Sequence, residues 1–265
     1  MTNLKVIFIV LFLALAVLFF FMSVNDKKPK SQKPMVSVTT FALYDIVQHI
    51  ANDSLEITHI LPFGVDPHSF EPTPKLMTKI ENSSLVFYSG AGLEPWTEGF
   101  KFKSKAVNVS KYVNLRALGI HKDEEHEEHE HHHGAFDPHY WLDFSNMQKA
   151  TNIITEELIK LLPENKTMYT QNRDKYVKML QQLDTAYKAK LSSCKVNTVV
   201  MSHNALGYLS DRYGFSVASL TGLSPEAQPS AKDVTRIMQD IKKDGVTTIF
   251  FENFVNDKVI KRIAK

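Results

Sequence analysis

The stretch Asp137-Pro138-His139-Tyr140-Trp141-Leu142-Asp143 joins three unlike pieces of chain: a histidine- and glutamate-rich run before it, a long polar helical stretch after it, and its own rigid turn. Its first three residues repeat an earlier tripeptide, Asp66-Pro67-His68. Proline fixes its own φ and biases the preceding residue toward extended geometry, so each histidine is presented in a defined direction at a loop edge. Two such histidines far apart in sequence imply one site assembled from two places in space, and the chemistry of imidazole makes that a metal site.

Working outward, the chain from Met35 alternates short apolar runs with amphipathic segments, the pattern of repeated β-α units. Strands are expected at 36–40, 56–61, 85–89 and 106–109, with a helix over 43–51. Thr73 as N-cap and Pro74 at the first helical position begin another helix, which leaves His68 in a loop after a strand, where open α/β sheets bind ligands. Gly90-Ala91-Gly92 reads as a turn, with Leu93-Glu94-Pro95-Trp96 opening a helix; the glycine spacing matches neither the dinucleotide nor the Walker fingerprint. From Asn146 to about Lys190 apolar positions recur at helical spacing, with Pro163 as the break between two helices. The second is long and charged, as a helix bridging two lobes would be. Further strands are expected at 198–201, 215–220 and 247–251. Ser202 caps a helix starting at His203, Ser230 caps another to Lys243, and 257–265 begins a last one. The expected organisation is an α/β fold of two lobes, each with a mainly parallel sheet and flanking helices, joined by one rigid helix with the metal in the cleft. The boundaries are 35–163, 164–193 and 194–265.

Composition sets the class. The chain has 265 residues, 43% of them hydrophobic, enough for one large domain or two small ones. A formal charge of +2 gives no net drive toward nucleic acid. Val6 to Met22 is an uninterrupted apolar run followed by a lysine-rich segment, which reads as an export signal or a membrane anchor within 1–34. No convincing cleavage site follows it, and no nearby cysteine could carry lipid. The single cysteine, Cys194, excludes an intramolecular disulfide and is expected as a small buried hydrophobe.

Eleven histidines are present, and six of them, His121, His126, His129, His131, His132 and His133, lie in an acidic loop over 121–134 that carries no apolar residue. These either collect metal weakly or form a solvated spacer. His49 and His59 sit in or beside regular elements and read as ordinary surface or partly buried residues. His68, His139 and His203 each sit at a strand end or helix start. Three neutral imidazoles with an open fourth position form a zinc-type set, and Asp66, Asp137 and Asp143 are near enough to orient the rings or to act as turn formers and caps.

These stretches resemble the solute-binding proteins of bacterial metal ABC importers, in the high-affinity zinc-uptake branch. Val65-Asp66-Pro67-His68-Ser69-Phe70-Glu71-Pro72-Thr73-Pro74 resembles that family's first ligand motif. Asp137 to Asp143 resembles the second, with Phe144 where a proline is common, and Ser202-His203-Asn204-Ala205-Leu206-Gly207-Tyr208-Leu209 resembles the third. Gly222 to Ser230 and Ala91 to Trp96 fit as framework motifs. The resemblance covers Val36 to the end. It implies His68 and His139 from the first lobe and His203 from the second as ligands of Zn2+, with no catalysis. It also implies a periplasmic or extracytoplasmic location, a monomer, and an ABC permease as partner. A carboxylate at position 203 would resemble manganese-type relatives. Family members continue past the residue matching Lys265 into a last strand carrying an acidic fourth ligand, so the C-terminal lobe is expected to lack that strand. Either the chain is a fragment, or water or Glu252 completes the site. The alternatives are a manganese or iron receptor of the same type, a zinc-dependent hydrolase that activates water, and an adhesion protein using metal structurally. Against the hydrolase, no expected helix carries a His-Glu-x-x-His motif; the one match, His129 to His133, falls in the acidic loop.

Overall fold

A computed structural model describes residues 33–118, 136–223 and 229–251. The first sheet is built from β1 (Met35–Val38), β2 (Glu56–His59), β3 (Leu85–Tyr88) and β4 (Lys105–Asn108), in the order β2-β1-β3-β4 and parallel throughout. Val36 and Val38 of β1 and Phe87 of β3 are fully buried, as parallel strands covered on both faces require. One face packs on α1 (Phe41–Ala51), α3 (Phe144–Leu161) and α4 (Lys166–Leu191) through Leu43, Ile46, Ile50, Ile154 and Leu158. The other face is smaller: Ile60, Val86 and Trp96 meet Ile80 of α2 (Pro74–Glu81). Each such side chain removed from water stabilises the fold by about 1.5–3 kcal/mol.

The second sheet contains β7 (Thr198–His203), β8 (Ser216–Thr221) and β9 (Ile249–Phe250), ordered β8-β7-β9 and again parallel. Its core, Val200, Ala218, Leu220 and Ile237, packs the strands on α6 (Ala231–Asp244). A full capping box between Ser230 and Asp233 starts α6 where the sequence places it. Between β7 and β8 lies the short helix α5 (Gly207–Tyr213).

Helix α4 has 26 residues, about 39 Å at 1.5 Å per residue. Three residues on it are buried, Tyr169, Tyr176 and Leu180, all toward the first sheet's helices. Polar ties reinforce that face: the Tyr176 hydroxyl donates to Asp45 at 2.6 Å, and Asn172 Nδ2 donates to the Ile50 carbonyl at 3.0 Å. Near its other end the helix turns to α5, where Asp184 accepts from Arg212 Nε at 2.8 Å and from the Tyr213 hydroxyl at 2.7 Å. One helix thus touches elements of both lobes, as the sequence predicts.

Four local expectations change. His203 ends strand β7 rather than starting a helix, because Ala205 N–H bonds back to the His203 carbonyl and α5 begins only at Gly207. Leu93 to Trp96 opens only a 3-10 turn over Pro95–Thr97. Cys194 is exposed, since it lies in the turn after α4, away from either core. A two-residue antiparallel ladder, β5 (Arg116–Ala117) with β6 (Phe136–Asp137), was not expected and flanks the histidine-rich segment in the chain. Val6 to Met22, the loop histidines, Glu252 and 257–265, for which the sequence carries expectations, lie outside the described residues. No helix among the described residues is long and apolar enough to cross a membrane.

Candidate metal centre

His68, His139 and His203 come together in the fold. One ring nitrogen of each lies within 4.8 Å of those of the other two. The ring centroids are 5.4 Å apart for His68 and His139, 5.3 Å for His139 and His203, and 6.3 Å for His68 and His203. Nε2 of His139 and Nε2 of His203 are 3.4 Å apart. His139 and His203 are buried and His68 half-buried.

Each histidine is placed by a different device. The repeated Asp-Pro-His tripeptides fold alike: His68 N–H donates to Asp66 Oδ1 at 3.0 Å, and His139 N–H donates to Asp137 Oδ1 at 3.0 Å. Each is an Asx turn, in which the aspartate mimics a backbone turn and proline sets the bend. The loop carrying His68 ends in α2, whose Thr73 side chain accepts from Leu76 N–H and whose Pro74 fills the first position. His203 is held by β7 itself, paired with Thr221 of β8 at the C-terminal edge of its sheet.

His139 shows the clearest electronic preparation. Its Nδ1 lies 2.8 Å from Asp137 Oδ1, and both residues are buried. The carboxylate can only accept, so the ring proton belongs on Nδ1 and the Nε2 lone pair points toward His203. Zinc held by nitrogen at roughly 2.05 Å in a tetrahedron separates ligand nitrogens by about 3.3 Å. The 3.4 Å between the two Nε2 atoms fits that edge. The donor set therefore fits a small divalent cation that accepts imidazole.

The three aspartates differ. Asp137 contacts the His139 ring, and Asp66 bonds the His68 backbone. Asp143 instead caps α3 by accepting from Asn146 N–H at 2.7 Å, and it pairs with Arg212 at 3.2 Å. Its role is to seat α3 and α5. The His49 ring lies tilted against Tyr176 at 5.0 Å, and His59 lies against Tyr44 at 5.4 Å, so both stand apart from the cluster. Trp141 lies 5.2 Å from the His139 ring.

The neighbouring framework is rigid. Gly90, Ala91 and Gly92 all have positive φ, and a Cβ at Gly90 would sit 2.0 Å from Asn108 Oδ1. Buried Glu94 closes that turn, accepting from Ser89 N–H and Gly90 N–H at 2.8 Å each and from the Thr39 hydroxyl. Burial pushes its carboxyl up, while these donors pull the other way. The sequence reading missed Arg116 and Tyr208 as neighbours of the site. The Tyr208 hydroxyl accepts from Arg116 N–H and donates to the Asp137 carbonyl, both at 2.8 Å. Burial pushes its phenol up to about 12, which keeps that proton in place.

The zinc-binding protein AdcA of Streptococcus pyogenes serotype M3 is 31% identical over 274 residues, which cover 97% of this chain and 53% of that protein. The chain thus spans about half the length of that relative. The high-affinity zinc uptake system protein ZnuA of Bacillus subtilis is 31% identical over 243 residues, covering 89% of this chain and 76% of that one. Among solved structures, the periplasmic zinc binding protein TroA from Treponema pallidum superposes with a TM-score of 0.77 at 27% identity, over 87% of this chain and 82% of that chain. The family profile described as zinc-uptake complex component A, periplasmic, matches residues 36–265, and so the chain belongs to the ZnuA family.

Proposed function

We propose that the protein is an extracytoplasmic receptor that captures Zn2+ between His68, His139 and His203 and delivers it to a membrane ABC permease. The observation that carries this is the convergence of three imidazole nitrogens within 4.8 Å, from three segments far apart in the chain. On this reading the ion is cargo, and the protein performs no catalysis. Residues 35–163 and 194–265 are the two lobes, and 164–193 is the rigid connection. The apolar run Val6 to Met22 directs export or retains the protein at the membrane, and the protein acts as a monomer. Asp66 and Asp137 hold the first two ligands, and Glu252 or water supplies the fourth position. The loop histidines either collect metal weakly for the cleft or form a solvated spacer.

Zinc is preferred over manganese or iron because the third ligand is an imidazole, a better partner for zinc than for the harder ions. Asp137 is committed to His139, which speaks against its acting as the base of a hydrolase.

The test is a zinc titration of the full chain against a competing chelator, followed by tryptophan fluorescence and repeated with excess manganese. Tight zinc binding that manganese does not displace, and that any one alanine substitution at 68, 139 or 203 weakens by about a hundredfold or more, is the expected result; this exceeds what a change behind a ligand costs. Retention of tight binding by His139→Ala and His203→Ala would overturn the proposal.

A further inference from the structure

We propose that Arg116 is a positioning residue for metal capture, fixing the direction of His139 while bridging to the element that follows His203. This inference rests on the metal site proposed above. Arg116 reaches three ways. Its backbone N–H donates to the Tyr208 hydroxyl at 2.8 Å, its Nε donates to Asp211 Oδ2 at 2.7 Å, and its Nη1 faces Asp137 Oδ2 at 3.6 Å. Tyr208 and Asp211 belong to α5, five and eight residues beyond His203 in the chain.

Asp137 is fully buried, and its Oδ1 accepts twice from His139, from the backbone and from the ring. A carboxylate loaded on one oxygen can still rotate, and the orientation of its plane depends on what faces the other oxygen. Here that is the Arg116 guanidinium, which hydrogen-bonds Asp211 through Nε and faces Asp137 Oδ2 through Nη1 at 3.6 Å, an ion-pair contact longer than a hydrogen bond, on a buried oxygen with no hydrogen-bond partner among the described residues. The fit leaves no slack. Gly207 stands where a Cβ would lie 2.8 Å from both Arg116 Nη1 and Asp137 Oδ2, so α5 seats directly on the pair. Without the guanidinium, Asp137 Oδ2 would be a buried carboxylate oxygen with no facing cation, and the carboxylate plane that orients the His139 ring would lose its outer restraint. Lysine would supply charge to one aspartate and not span both.

The experiment compares Arg116→Gln, Arg116→Lys and His139→Ala in the full chain. Zinc affinity is measured by chelator competition, and ligand geometry by the visible bands of the cobalt-loaded protein. Arg116→Gln should lose about tenfold to a hundredfold in affinity with altered cobalt bands, and Arg116→Lys should recover part of both. Wild-type affinity in Arg116→Gln, or weakened affinity with unchanged cobalt bands, would overturn the positioning role while His139→Ala still lost binding. If Arg116→Gln does not fold, Arg116→Lys decides alone: unchanged affinity and bands overturn the proposal, and an intermediate loss with shifted bands supports it. Wild-type binding by His139→Ala would remove the metal site, and this inference with it.

Discussion

Nε2 of His139 and Nε2 of His203 lie 3.4 Å apart although 64 residues separate them in the chain. Two buried imidazoles at that distance need either a shared proton or a shared cation. The Asp137 carboxylate on His139 Nδ1 leaves His139 as the acceptor, the state a metal requires.

Asp137→Asn preserves shape but removes the charge that holds the ring proton on Nδ1. Zinc affinity should fall about tenfold to a hundredfold while the far-ultraviolet circular dichroism stays unchanged. Chelator competition reads the first quantity, and wild-type affinity would refute the assigned role of Asp137.

Tyr208→Phe deletes one hydroxyl and two contacts, leaving the Arg116 N–H and the Asp137 carbonyl short of a partner. Stability should fall by about 1–3 kcal/mol in urea denaturation. A change below the error of that measurement would mean that water replaces the phenol and that the tie carries little.

Thr73→Ala removes the side-chain cap of α2 and should cost about 1 kcal/mol. Zinc affinity should hardly change, because the Asx turn at Asp66 that presents His68 is untouched. A large loss of affinity would show that α2, rather than the turn, aims this histidine.

Acid should loosen the contact between α4 and α5. Hydrogen bonds from Arg212 hold the Asp184 carboxyl below the usual carboxylate range, against a smaller opposing effect of burial. A depressed folded-state value means the pair stabilises the fold above the unfolded aspartate range, near about pH 4, and that this contribution is lost as pH falls through the folded value. The melting temperature of wild type should exceed that of Asp184→Asn at neutral pH, and the gap should close on titration below about pH 4. A gap independent of pH would contradict the assignment.

Zinc should also stabilise the folded chain by mass action, by about 2.7 kcal/mol at a free concentration a hundred times the dissociation constant. A chelator should reverse the rise in melting temperature, and His203→Ala should abolish it. An equal rise in that variant would place the ion elsewhere.

The sequence by itself determined the α/β class, the two parallel sheets, the break at Pro163, the caps at Thr73 and Ser230, and the three histidines worth joining. These are legible because local chemistry decides them: periodicity of apolar residues, proline geometry and side-chain capping act over a few positions. Only the tertiary structure decided that His203 ends a strand, that Asp143 serves α3 and Arg212 instead of a ligand, and that Cys194 faces solvent. Arg116 lies outside every motif, and its position between Asp137 and Asp211 depends on α5 packing against the β5–β6 ladder. Contacts between residues 21 and 95 positions apart are set by how sheets and helices stack, and no window of sequence encodes that distance.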